Sequence, residues 1–291
     1  MEETGEIVHV KSIYLPPAAG NRLLRQVYLG HAWFHAEANS DGFKNKIQSC
    51  FPYPGEVTAI LLDNFHPGSL RRTKEKIRDI YGLGNHSIHV TDSDEEMLRI
   101  ARVLFNDISL LFLYGKTDYE EVLHSMLQTY HAWVQSSGHD EESFCLDGSI
   151  VLGLLGMRPP RDIDFLWAGD NDAPGAPPKG IDCHNAEAKF FPYPVRDIVF
   201  SPPLHGWYMG VKFCSPEVLL SMKRARGERK DKSDAAWLQS FLSKHGRSTK
   251  HLLRARLWLA YMRVCVAMFK AKNAIKTPLR PLVRKLRTFL Q

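Results

Sequence analysis

The chain is predicted to be a mixed α/β protein, and three observations carry that prediction. Residues 1–116 alternate β-rich runs with amphipathic ones. A Gly-Ser turn at 148–149 is followed by a helix and then by a strand of alternating acidic and apolar residues. After Phe213 the pattern is helical to the end. Of the 291 residues, 44% are hydrophobic and 24% charged. That balance excludes a disordered or low-complexity chain and supplies ample material for a buried core.

In chain order, Val57–Leu62 is a β-rich run closed by the turn signal Asp63-Asn64. A helix from about Leu70 to Tyr81 follows, basic on its exposed face and stopped by Gly82. Tyr81–His86 holds two glycines without the strand-then-helix context of a dinucleotide turn, so it reads as a helix C-terminal turn. Ser87–Val90 is a predicted strand. Ser93 and Glu96 have capping-box spacing for a helix with Met97, Ile100, Ala101 and Leu104 on one face. Ile108–Leu113 reads as a buried strand and Tyr119–Val134 as an amphipathic helix. These elements predict a small α/β domain over residues 1–116 and a second domain over 117–240. A loop rich in Asp, Gly and Pro (Gly169–Gly180) lies within the second.

The charge is unevenly distributed. From Phe241 to Gln291 there are 13 basic residues and no acid, so the other 25 basic residues face all 32 acidic ones. Residues 241–291 are therefore a basic tail on a mildly acidic body, which predicts an anionic partner met by the tail. Between His251 and Lys270 large apolar residues alternate with Arg254, Arg256 and Arg263, dense enough for part of the segment to pack on the body. From Lys272 on, Ile275, Leu279, Leu282, Val283, Leu286, Phe289 and Leu290 recur at three- and four-residue steps among basic residues. That pattern predicts a basic amphipathic segment on an anionic membrane surface, broken into short pieces by Pro278 and Pro281. Packing on the core and binding of nucleic acid are the alternatives.

Cys50, Cys145, Cys183, Cys214 and Cys265 are odd in number and lack zinc spacing, so free thiols in a reducing compartment are expected. The acidic, polar start Met1–Glu6 does not read as a Sec-type signal. A cytoplasmic protein is expected, peripheral at the inner membrane surface.

The stretch that carries chemistry is Phe144 to Leu166. A strand ends in Gly148-Ser149, and a helix N-terminus there would present N–H groups and a hydroxyl to an anion such as phosphate. Gly-Ser before a helix is also a common cap. In Asp162-Ile163-Asp164-Phe165, alternation puts both carboxylates on one face. Two such carboxylates repel unless a cation lies between them, and hard oxygens suit Mg²⁺.

Gly148-Ser149, twelve residues, then Asp162-Ile163-Asp164 resembles the GS…DxD signature of polymerase-β-like nucleotidyltransferases. A downstream Lys-x-x-Arg…Lys-Asp-x-x-Asp run, from Lys223 and Arg226 through Lys230 and Asp231 to Asp234, adds to the likeness, which covers residues 140–240. There is also some likeness to the LicD/fukutin phospho-transferase branch, but Arg161 stands where that branch has a longer acidic run. The resemblance implies a mixed sheet flanked by helices and an enzyme that moves a nucleotidyl or related phospho group. Asp162 and Asp164 would hold Mg²⁺ or Mn²⁺, with donor phosphates on Gly148 and Ser149. The donor would be a nucleotide or nucleotide-sugar. The acceptor would be a sugar or lipid-linked molecule of surface polysaccharide synthesis.

A third carboxylate is expected on a neighbouring strand. Asp182 is favoured over Asp197 and Glu187 because Ile181-Asp182-Cys183 alternates as a strand does. Arg158 and Arg161 either clamp phosphate or pair with surface acids. Lys223, Arg226 and Lys230 either face phosphate or form a solvated helix face. His184 reads as a hydrogen-bonded loop histidine, with substrate binding the alternative. A non-catalytic nucleotide- or sugar-binding module and a toxin-like enzyme acting on nucleic acid are the competing functions.

Overall fold

The computed structural model describes residues 5–29, 41–64, 67–116, 118–169, 174–248 and 250–289, with side chains of the last helix described to Lys272. The architecture is mixed α/β. Contacts divide the chain into two compact units, Met1–Gly246 and Arg247–Gln291. The expected boundary near residue 116 falls inside the first unit.

That unit opens with β1 (Gly5–Leu15) and β2 (Gly55–Asn64), an antiparallel ribbon of their own. β1 has no alternating signature because most of it is exposed; Ile13 and Leu15 are its buried apolar residues. Helices α1 (Pro17–Val27), α2 (Asp41–Cys50) and α3 (Pro67–Tyr81) follow. Ser87–Val90 is not a strand, since among the described residues no neighbour pairs with it. α4 (Asp94–Leu104) starts where expected. The Ser93 hydroxyl accepts from the Glu96 N–H, while the Glu96 carboxylate reaches back to the N–H of Asp92 rather than of Ser93.

Residues 108–113, expected as a strand, belong to helix α5 (Asp107–Leu113). Asn106 caps it by accepting from the N–H groups of Ile108 and Ser109. The segment is buried nearly all round, so periodicity could not separate helix from strand.

After α6 (Glu120–Ser137) comes the main sheet: β3 (Phe144–Asp147), β4 (Ile163–Trp167), β5 (Ile181–Cys183), β6 (His205–Tyr208) and β7 (Val211–Cys214). Short helices α7 (Ser149–Leu154) and α8 (Val195–Phe200) lie between strands, and α9 (Pro216–Arg226) and α10 (Arg229–Lys244) close the unit. The sheet order is β5-β4-β3-β7-β6. β3 runs antiparallel to β4 and parallel to β7, and β4 runs parallel to β5. Phe144, Phe165, Trp133 and Trp167 pack edge-on or tilted in the core, with centroids 4.6–5.7 Å apart. Of the Gly169–Gly180 loop, residues 170–173 lie outside the described residues.

One buried cation ties the N-terminal half to this sheet. Arg22 of α1 is fully buried. Its guanidinium donates to the carbonyls of Phe112, Leu154 and Lys116 at 2.6, 2.8 and 3.2 Å, and to Glu120 at 2.8 Å. It also lies over the Tyr208 ring. Segments on both sides of residue 116 thus share one charge centre.

The second unit is helix α11 (Lys250–Phe289), whose backbone is helical through Pro278 and Pro281 rather than broken there. Leu253, Leu257, Tyr261, Val264 and Met268 form a stripe at four- and three-residue steps and are 57–67% exposed. The side chains from Ile275 to Leu290 lie outside those described. Among the described residues no helix is long and apolar enough to cross a membrane.

Burial gives one histidine a pH signature. His205 is buried and donates through Nδ1 to the Ile198 carbonyl. Burial, with Lys212 and Arg102 nearby, pushes its pKa down to about 3, against an unfolded value of 6.5. Below 6.5 the unfolded chain takes up a proton that the folded one refuses, so this stability is present at neutral pH and lost on acidification. The stability advantage of wild type over His205→Asn, measured by urea unfolding, should shrink by about 1.6 kcal/mol in all between pH 6.5 and 5, the slope steepening toward 2.303RT per pH unit at the acid end. A constant difference across that window would mean that folded His205 titrates normally.

Candidate active site

The site is built at one end of β3, β4 and β5. Strand register sets Asp147 directly across from Asp164, and Asp164 directly across from Asp182. Directly paired residues share a face, so three carboxylates form a row over three adjacent strands. Asp147 is fully buried, Asp164 is buried, and Asp182 is exposed on the outer strand.

His184, one residue past β5, projects its ring between the first two. Its Nδ1 lies 3.4 Å from Asp147 Oδ2 and its Nε2 3.1 Å from Asp164 Oδ1. Burial works against protonation of this imidazole, but the Asp147 and Asp164 carboxylates prevail and raise its pKa to about 9. Burial lifts the Asp164 carboxyl to about 7, against the pull of His184 and with help from Asp147, Asp162 and Asp182. The other Asp147 oxygen, Oδ1, is buried without a hydrogen-bond partner among the described residues.

One ligand atom each from Asp147, Asp164 and His184 lies within 4.8 Å of the others, a grouping able to share a cation. The orphaned buried oxygen fits such an ion, because an unpaired carboxylate oxygen is otherwise costly to bury. Asp162, expected beside Asp164 as a ligand, is not part of this group. It precedes the strand, and its Oδ1 accepts from the Ser149 hydroxyl at 2.5 Å.

The turn before α7 has two tasks. Gly148 has φ +67°, and a Cβ there would stand 2.2 Å from Asp164 Oδ2, so the absent side chain is what lets that carboxylate lie over the turn. The Ser149 oxygen is buried in contacts of its own: the hydroxyl faces Asp162, and the Arg161 N–H donates to it at 3.2 Å. The hydroxyl expected to meet phosphate therefore joins α7 to the segment entering β4.

The expected phosphate-binding cations are placed differently from one another. Lys223 is buried between Asp231 Oδ1 at 3.0 Å and Asp234 Oδ2 at 2.8 Å. Arg226 grips Asp231 with two N–H groups at 2.8 and 2.9 Å, and Arg158 grips Asp234 likewise at 3.0 and 3.2 Å. Burial opposes ionisation of Asp231, yet Arg226 and Lys223 hold its pKa down at about 2. The Lys-x-x-Arg…Lys-Asp-x-x-Asp run is thus a charge lock at the α9–α10 corner. Lys230 is exposed, 3.3 Å from Glu228, and the Arg161 side chain is exposed. Glu187 lies in the short helix after β5, and Asp197 lies on α8.

Two site residues escaped the sequence reading as ligands. Asp147 stood at the end of an apolar run just before Gly-Ser, the one local hint available. His184 lies two residues after Asp182, but only the β4–β5 pairing turns that spacing into proximity. No family model, curated protein or solved structure matches this chain.

Gly148→Ala should cost about 1–3 kcal/mol, from a backbone region closed to other residues and from the clash with Asp164. Gly138 has φ +70° and open space around it, so Gly138→Ala is the control and should lose less in urea unfolding. Equal losses would remove the close approach of Asp164 from the account.

Proposed function

We propose that this chain is a divalent-cation-dependent transferase that moves a nucleotidyl or related phospho group to a hydroxyl acceptor. The observation that carries the reading is the grouping of Asp147, Asp164 and His184, one ligand atom of each within 4.8 Å of the others, at the end of a carboxylate row in which the second Asp147 oxygen is buried without a partner among the described residues. Asp147, Asp164 and His184 would hold the ion, which supplies neutralisation of the developing phosphoryl charge. Asp182, exposed one strand away, would accept the acceptor hydroxyl's proton. Gly148 and Ser149 shape the site, keeping Asp164 and Asp162 in position. The GS…DxD order supports the same chemistry, with a nucleotide or nucleotide-sugar as donor.

Thermal shifts with nucleoside triphosphates and nucleotide-sugars, with and without divalent ions, test this reading, since a true ligand raises the melting point by mass action. The expected result is an ion-dependent shift in wild type that Asp147→Asn abolishes while the protein still melts cooperatively. A shift unchanged in Asp147→Asn removes the ion site. Binding without turnover would favour a non-catalytic nucleotide-binding module.

The helix α11 supports placement of this activity at an anionic membrane surface, where a lipid-linked acceptor would be met. Its exposed stripe from Leu253 to Met268 lies in a segment with no acid after Phe241. A second copy is disfavoured there, because two basic faces repel. Each basic residue near the bilayer contributes ~1 kcal/mol, and the apolar stripe adds burial. Wild type should sediment with phosphatidylserine vesicles at low salt and release as salt screens the charges. Leu257→Glu with Met268→Glu should weaken this sedimentation while leaving the melting point in place. Protein that ignores the vesicles and shifts RNA in a gel would overturn the membrane assignment.

A further inference from the structure

The identity of the ion can be argued from the donor set, and this inference rests on the cation site proposed above. Mg²⁺ takes oxygen ligands and keeps much of its water, so an imidazole nitrogen serves it poorly. First-row transition ions accept imidazole readily. An all-carboxylate site would therefore suit Mg²⁺, and each nitrogen donor moves the preference away from it.

The position of His184 is built rather than incidental. The next residue, Asn185, is locked to β4 by both amide atoms: the Trp167 N–H donates to its Oδ1 at 3.0 Å, and its Nδ2 donates to the Trp167 carbonyl at 2.8 Å. Trp167 lies three residues beyond Asp164 on the same strand. The side chain of Asn185 thereby continues the pairing of β4 past the end of β5 and holds the neighbouring imidazole against Asp164 and Asp147. Supporting contacts of this kind orient metal ligands. Independently, the fully buried Asp147, whose Oδ2 faces His184, leaves its Oδ1 without a partner among the described residues.

We infer that Asp147, Asp164 and His184 form a mixed oxygen–nitrogen site that selects a first-row transition ion, Mn²⁺ being the hardest of the series, over Mg²⁺. Asp147 and Asp164 supply the charge, and His184 supplies the selectivity. Asp182 lies outside the ligand set and keeps its carboxylate for the acceptor.

Mn²⁺ itself is the probe. Its binding to the full chain is followed by loss of the free-ion electron paramagnetic resonance signal, with Mg²⁺ as competitor. Wild type should bind Mn²⁺ at least about ten-fold more tightly than Mg²⁺, and the bound ion should show spin-echo modulation from a ¹⁴N nucleus. His184→Gln should lose the modulation and about ten-fold or more in Mn²⁺ affinity, the scale on which altered ligand shells act, with Mg²⁺ affinity little changed. The ¹⁴N measurement is made on wild type, so it decides the matter even if the variant folds poorly. Equal affinity for the two ions without nitrogen modulation would overturn the role of His184 while leaving a carboxylate ion site intact. Binding of neither ion would overturn the cation site itself, and the selectivity with it.

Discussion

The buried guanidinium of Arg22 is the constraint on which the first unit depends. A charge fully removed from water must be met by polar groups on every side. Here those groups come from separate stretches of chain: the end of α5, the end of α7, the segment at residue 116 and Glu120 of α6. None of these acceptors can move away without stranding the charge. The N-terminal helices are therefore bound to the elements that frame the main sheet, and the chain to Gly246 forms one compact unit.

The same electrostatic accounting describes the site. Lys223, Arg226 and Arg158 are arranged around Asp231 and Asp234, so the α9–α10 corner neutralises its own acids. Among the described residues, the row of Asp147, Asp164 and Asp182 has no such set of fixed cations. What stands between its two buried members is His184, held at both ring nitrogens. Fixed cations at the corner give rigidity. At the row, a half-buried imidazole takes the place of such cations.

Backbone geometry allows that crowding. Antiparallel pairing of β3 and β4 brings Asp147 and Asp164 opposite each other, and a residue with no side chain follows Asp147 at a positive φ. Any Cβ at Gly148 would occupy the place of the Asp164 carboxylate. The Gly-Ser pair therefore serves the site chiefly by shape: Gly148 yields space, and Ser149 holds the approach to β4 through Asp162.

Much of the local structure was legible in the amino-acid order, because its signals are local. The Ser93 cap of α4, the run of β2, the helix beginning at Ser149 and the strand that carries Asp164 all rest on residues a few positions apart, although β4 is buried at every position and Asp162 lies before it. The basic, acid-free segment that forms α11 is likewise a matter of composition. Where burial is complete the local signal fades. Residues 108–113 are buried nearly all round, and only the Asn106 cap and their packing make them a helix. The site went further beyond local reading. Asp147, Asp164 and His184 meet because strand register joins positions 17 and 20 residues apart. Lys223 and Arg226 turn inward because Asp231 and Asp234 return to them across a helix corner. Sequence alone determined the mixed α/β class, the turn chemistry and the charge of the tail, since these follow from neighbouring residues. Only the tertiary structure decided which carboxylates share a cation-sized space and which cations are spent elsewhere, since burial and register are properties of the packed chain.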